Sequence, residues 1–222
     1  MVNTIKSMGN TICPQYNYKI FLGYDGDDIY YSNQENAEYI KETAINYNIQ
    51  VEFIELQIER GYLTKMWNEL AKRAYNEKYT YMYMCGDDIL YNKTGWVSES
   101  IEALKKTNNI GVSGPTEIVN PRILTQCFVH NKHYEIFGYF FPEEIKNWYC
   151  DDWINAVYIP SRLSEEYTCH NTGGGERYGI VHCLDIIGTL IERDKEKIKN
   201  YIEKESNQPP FPEIQTETET QT

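Results

Sequence analysis

Residues 81–92 read YMYMCGDDILYN. An aromatic and apolar run stops at Gly86-Asp87-Asp88, and the apolar pattern resumes at Ile89 and Leu90. A short apolar run bounded by turn residues reads as a buried strand, here Tyr79 to Cys85. Two adjacent carboxylates at the end of such a strand repel each other unless something positive sits between them. A hard divalent cation, Mg²⁺ or Mn²⁺, is the natural partner, because it takes oxygen ligands and also accepts substrate phosphates. The plainer alternative is a solvated turn, for which Gly-Asp-Asp is good chemistry.

Reading outward on the N-terminal side, YKIFLGY (residues 18–24) is a second strand, closing in the turn-rich Asp25-Gly26-Asp27-Asp28. Residues 34–47 carry Ala37, Ile40, Ala44 and Tyr47 at helical spacing, and IQVEFIEL (49–56) again reads as a strand. After Gly61, the positions Leu63, Met66, Trp67, Leu70, Ala71 and Ala74 form an amphipathic helix. Beyond the acidic turn, Thr94 would cap a helix with Val97, Ile101 and Leu104 inside, and residues 110–113 suit a strand. Strands alternating with helices predict an α/β fold, a Rossmann-type, mostly parallel central sheet with helices on both faces. In such sheets ligands bind outside the carboxyl ends of the strands. Asp25, Asp27, Asp87 and Asp88 should therefore project from one sheet edge.

The second half is less regular. Residues 122–141 suggest one or two strands and a loop, 143–158 a short helix, and 165–178 a strand followed by a glycine loop. A long helix starts around Ile180 and ends near Glu205, giving a domain over residues 1–205. Residues 206–222, SNQPPFPEIQTETETQT, are rich in Pro, Thr and Glu and are expected as a disordered tail or a linker to further domains of a longer chain.

A chain of 222 residues suits one domain that buries roughly 70% of its unfolded surface, so it needs no disulfide or structural metal. The net charge of −12 argues against a nucleic-acid partner and opposes anionic membranes, yet allows a phosphate ligand bridged by a cation. The six cysteines (Cys13, Cys85, Cys127, Cys150, Cys169 and Cys183) form no C-x-x-C pair. There is no signal peptide and no apolar run of about 18 residues, so a soluble cytoplasmic protein with reduced thiols and no integral membrane segment is expected. The 20 tyrosines supply amphipathic surface of a kind that suits sugars, or reflect a compositional bias.

The order of elements and the acidic turn together resemble the GT-A nucleotide-sugar glycosyltransferases, especially the short family-2-like domains, along much of residues 1–178. In that family an acidic D-x-D-type motif closes a central strand and holds metal and diphosphate. The matching stretch is Met84-Cys85-Gly86-Asp87-Asp88, an x-D-D variant with Cys85 in the place of the first Asp. The resemblance implies that Asp87 or Asp88 binds Mn²⁺ or Mg²⁺ and that Asp87 also meets the diphosphate. It gives Asp25, with Asp27, the nucleobase or ribose. Asn3-Thr4-Ile5-Lys6 resembles the segment after the family's first strand, which makes Thr4 a base contact. GYLTKMWN (61–68) is similar to the helix start that passes the nucleotide, where Lys65 either reaches a phosphate as a point charge or is a solvated lysine.

Trp148-Tyr149-Cys150-Asp151-Asp152-Trp153 resembles the family's acidic acceptor-side motif. One of Asp151 and Asp152 would then be a general base, or both merely complement a helix dipole. Trp148 and Trp153 either stack on sugar rings or belong to the core. CHNTGGGERY (169–178) is similar to the family's C-terminal segment, which makes His170 a third metal ligand and Arg177 a diphosphate contact. The implied function is metal-dependent transfer of a sugar from a nucleotide diphosphate donor, UDP-linked, to a hydroxyl of a glycan or glycoprotein acceptor. Two rivals stand beside it. A sugar-phosphate nucleotidyltransferase is disfavoured because residues 1–17 hold only Lys6 and Gly9 where a basic, Gly-rich loop is needed. A non-catalytic carbohydrate-binding module on a degenerate scaffold is favoured by the loss of the first Asp at Cys85.

Overall fold

The computed structural model describes residues 1–173 and 178–207. Arg177 therefore lies outside the described residues, as does the expected tail beyond Asn207.

The chain opens with a helix, α1 (Val2–Gly9), where the resemblance implied a short strand. Val2, Ile5 and Met8 recur at three-residue spacing, and that face packs toward the acidic turn and the strand after it. Strand β1 (Tyr18–Asp25) follows, then α2 (Gln34–Ile45), whose N-cap Asn33 accepts a hydrogen bond from Asn36 N at 3.1 Å. Asn48, at φ 57, turns the chain into β2 (Ile49–Leu56). The amphipathic helix is α3 (Leu63–Asn76), and it leads into the short β3 (Tyr81–Met84).

After the acidic turn come β4 (Ile89–Tyr91) and α4 (Trp96–Lys105). Gly95, at φ 102, takes the N-cap place assigned to Thr94, whose hydroxyl donates instead to Asn10 O at 3.3 Å. The bridges β5 (Ser113–Gly114) and β6 (Thr116–Glu117) precede β7 (Cys127–His130) and a short helix, α5 (Lys132–Phe137). The chain ends with α6 (Cys150–Val157), β8 (Ser161–Arg162), β9 (Thr168–Asn171) and α7 (Ile187–Ser206).

The class is mixed α/β, but the single, mostly parallel sheet needs correction. Hydrogen bonding divides the strands into three short groups: β1-β2, β3-β7-β5-β8 and β4-β9-β6. β1 and β2 are parallel, as are β5 with β8 and β6 with β9; β3 with β7, β5 with β7, and β4 with β9 are antiparallel. The physical reason is that periodicity identifies a strand but not its neighbour. β7 returns from a long connection and inserts beside β3, running the opposite way. β1 and β3 belong to different groups, yet both line one elongated cavity of about 960 Å³.

The core has two main clusters. One gathers Met82, Met84, Phe137, Phe141, Trp153 and Ile154. The other gathers Ile5, Leu22, Ile40, Ile89, Trp96 and Phe128. Asn68 on α3 stitches the first cluster together: its Oδ1 accepts from the amides of Phe140 and Phe141, and its Nδ2 donates to Phe141 O, all at 2.9 Å. Helix α7 is fixed by a fully buried carboxylate. Asp194 accepts from Arg193 Nε and Nη2, both at 2.9 Å, and from Trp153 Nε1 at 3.2 Å, and pairs with Lys197 at 3.0 Å. All six cysteines are free thiols. Among the described residues no helix is long and apolar enough to cross a membrane.

Candidate functional site

Burial of Met82 and Met84 on one face of β3 forces the chain to emerge at Gly86-Asp87-Asp88. Distant segments hold that turn. Gly86 N donates to Gln126 Oε1 at 3.1 Å, and Thr4 Oγ1 donates to Asp87 O at 2.6 Å. The phenol of Tyr31 donates to Asp87 Oδ2. Thr172 donates twice to Asp88 O, through its amide at 2.9 Å and its hydroxyl at 2.7 Å. Gly173 lies so close that a Cβ there would stand 1.8 Å from Asp88 Oδ2. Burial, followed by the neighbouring charge of Asp87, pushes the Asp88 carboxyl above its ordinary value. Cys85, directly behind the turn, is driven by burial to a pKa of about 11, so its thiol stays protonated at neutral pH and is no nucleophile.

Asp25 closes β1 and is buried. Its Oδ2 accepts a hydrogen bond from the Tyr178 phenol, while its Oδ1 is buried with no hydrogen-bond partner among the described residues. An unsatisfied buried acceptor is costly, typically 1–3 kcal/mol, and marks a position a donor group can fill. Asp25 and Asp87 line the same large cavity, together with Thr4, Tyr31, Trp148 and Tyr178. Asp27 is exposed and pairs with Arg60 at 3.4 Å. Both border a second, polar pocket of about 530 Å³ at the carboxyl ends of β1 and β2, with Glu55 and Gln57.

Thr4 is on α1 and buried at the cavity, where its hydroxyl donates to the Asp87 carbonyl and braces the turn. Lys65 sits 3.9 Å from Glu143 and over the Tyr62 ring at 4.3 Å, and it does not line the cavity. His170 on β9 stands opposite Leu90 of β4. Its Nδ1 is 3.8 Å from Glu117 Oε1 and is buried without a hydrogen bond. Among the described residues no three His, Cys, Asp or Glu side chains come together as a metal site. Asp87, Asp88 and His170 are therefore not gathered as a three-ligand set. Among the described residues neither aspartate forms a salt bridge, and the pair suits an ion of the Mg²⁺ type, which binds one or two carboxylates and fills its shell with waters and phosphate.

In the segment expected to face an acceptor, α6 starts after Tyr149 in the left-handed region at φ 75. Burial, then Asp152, raises the Asp151 carboxyl. Asp152 instead accepts from Arg122 Nη2 at 2.8 Å. Trp153 is wholly buried and belongs to the core, whereas Trp148 is half-exposed at the cavity rim. Buried Asn147 ties this region together. Its Nδ2 donates to Gly61 O at 3.2 Å and Gly179 O at 3.1 Å, and its Oδ1 accepts from Trp148 N at 2.7 Å and Val181 N at 3.1 Å. Tyr31 and Gln126 bond the acidic turn, Asn147 lines the cavity and Glu117 stands beside His170, and sequence reasoning singled out none of them. Only Tyr31 had a usable signal, its place three residues after Asp28, whose Oδ1 accepts from Tyr30 N and Tyr31 N at 3.0 and 3.1 Å.

Comparison with protein-family models and with curated proteins finds no match to this chain.

Proposed function

We propose that the chain is a metal-dependent glycosyltransferase of GT-A type that moves a sugar from a UDP-linked donor to a hydroxyl of a glycan or glycoprotein. The observation that carries the reading is the meeting of Asp25, with its unpartnered buried Oδ1, and Asp87 at one cavity, with Asp88 next in the chain just outside its lining. β1 and β3 flank that cavity, which supports a shared strand edge of the Rossmann kind. Asp25 Oδ1 accepts from a ring N–H of the base. Asp87 and Asp88 hold Mn²⁺ or Mg²⁺, which when bound supplies neutralising charge to the diphosphate leaving group. Tyr31 and Thr4 keep the Asp87 carboxylate and carbonyl in place. Asp151, at the start of α6 and outside the lining of that cavity, is the carboxylate left to take the proton of the acceptor hydroxyl, since Asp152 is already engaged by Arg122.

Calorimetry of UDP with and without Mn²⁺ tests the proposal. UDP should bind more tightly with Mn²⁺, and Asp87→Ala/Asp88→Ala should abolish the difference. Equal UDP affinity in the wild type and the double variant with Mn²⁺ present sinks the reading. A second reading, a carbohydrate-binding module without catalysis, is favoured by Cys85 and by the absence of a three-ligand metal set among the described residues. Glycan binding without any UDP binding would select it.

A further inference from the structure

Glu117 stands behind His170, on the strand that pairs with β9. It is a carboxylate 4% exposed, placed on β6 beside β9 in a parallel bridge that sets Glu117 opposite Cys169. A carboxylate buried that deeply is expensive unless its oxygens are satisfied. They are: Oε2 accepts from the amides of Val119 at 2.9 Å and Asn120 at 2.5 Å, and Oε1 accepts from the Asn171 amide at 3.2 Å. Three backbone donors fix its orientation. Two ladders hold the next residue just as firmly, because β9 pairs with β4 on one side and β6 on the other. His170 therefore presents Nδ1 inward, 3.8 Å from Glu117 Oε1, with no other partner for that nitrogen. The remainder of the ring is part-exposed, and His170 lies diagonally across from Asp88, whose carbonyl is capped by Thr172 of the same segment.

A neutral imidazole carries one proton on one of two nitrogens, and the hydrogen bond or charge at one nitrogen decides which. A fixed anion facing the buried nitrogen draws the proton there. We propose that Glu117 is a positioning residue that holds His170 as the Nδ1–H tautomer and so leaves the Nε2 lone pair free toward solvent on the Asp88 side. The consequence for ligands rests on the glycosyltransferase reading above: the unprotonated Nε2 is the form of His170 that could ligate a divalent ion, and because His170 is not gathered with Asp87 and Asp88 it would join an ion held there only once binding draws β9 toward the turn. Carboxylate partners of this kind are common behind ligating histidines, and losing one costs 10–100-fold in metal affinity. The tautomer itself requires no metal.

The test uses the whole chain with ¹⁵N-labelled histidine, at about pH 8.5, where imidazoles are ordinarily neutral. The His170 resonances are assigned by their loss in His170→Gln. The expected result is a protonated, pyrrole-type Nδ1 and a pyridine-type Nε2, with Glu117→Gln shifting the population toward the Nε2–H form while the other three histidines stay unchanged. Wild-type His170 already in the Nε2–H form, or a tautomer insensitive to Glu117→Gln, overturns the proposal. Mn²⁺ titration followed by electron paramagnetic resonance, with UDP present, adds a separate readout. A 10–100-fold weaker Mn²⁺ affinity in Glu117→Gln supports the link to the ion, and an unchanged affinity removes that link. Wild-type protein that binds no Mn²⁺ refutes the metal reading but not the tautomer. Glu117→Asp, which keeps the charge but shortens the reach, should fall between wild type and Glu117→Gln in tautomer population.

Discussion

Replacing Asp194 by Asn should destabilise the protein by an amount that depends on pH. The substitution keeps the side-chain shape and removes one charge from a site with no solvent exposure. It trades a carboxylate that accepts two bonds from Arg193, one from Trp153 and a pair with Lys197 for an amide that turns its NH₂ toward one of the cations. Breaking a buried ion pair on one side costs about 3–5 kcal/mol. Here the Arg193 and Lys197 side chains are each 36% exposed and can recover some hydration, so about 2–3 kcal/mol is the reasonable loss. For a domain of this size that corresponds to a Tm lower by about 4–12 °C.

The sign with pH is fixed by the shift. Burial alone would raise the Asp194 carboxyl, but the bonds from Arg193, Lys197 and Tyr139 outweigh it and hold the group below its ordinary value. The unfolded chain takes up its proton near the ordinary value of about 3.9. The charge-dependent stabilisation is therefore fully present above about pH 4 and is lost as the pH falls through the lower, folded value. Urea unfolding of both proteins, followed by tryptophan fluorescence at several pH values, measures the gap. A gap under about 0.5 kcal/mol at pH 7, the size of an ordinary surface change, refutes the reasoning. So does a gap that stays constant well below pH 4.

Two further outcomes follow from the site. Tyr31→Phe removes the phenol that donates to Asp87 and leaves the packing intact; Mn²⁺-dependent UDP affinity should fall by about tenfold, the worth of one hydrogen bond to a charged group, while metal-free UDP binding is unchanged in calorimetry. Gly173→Ala pushes a methyl into the Asp88 carboxylate, so divalent-ion binding should weaken markedly with a Tm within about 2 °C of wild type, a shift of under about 1 kcal/mol; calorimetry and a thermal melt on the same preparation check both.

Much of the fold was legible because several elements carry strong, uninterrupted periodicity. IQVEFIEL matches β2 residue for residue, and the face formed by Leu63, Met66, Trp67 and Leu70 marks α3 with its start at Leu63. The acidic turn was legible because a carboxylate pair interrupts an apolar run. What escaped was everything set by partners far along the chain. β7 is a four-residue strand whose neighbour cannot be read from CFVH, and α5 is six residues long, too short for a helical period to emerge. Thr4 was noticed for its place near the N-terminus, but its role depends on a hydroxyl that finds a carbonyl 83 residues away. Glu117 and Asn147 gave no signal, because a buried carboxylate or amide looks like a surface residue until its backbone donors are known.

The four side chains that hydrogen-bond the Gly86-Asp87-Asp88 turn all come from far along the chain. Gln126 reaches it across 40 residues, Tyr31 across 56, Thr4 across 83 and Thr172 across 84. Closing such loops costs chain entropy before any contact repays it, so structure of this kind tends to consolidate slowly. The corner around the acidic turn is thus wired as the last part to set. Helices α2, α3 and α7, whose internal bonds span four residues, can form while this corner is still loose, and a refolding experiment should recover helical circular dichroism before it recovers ligand binding.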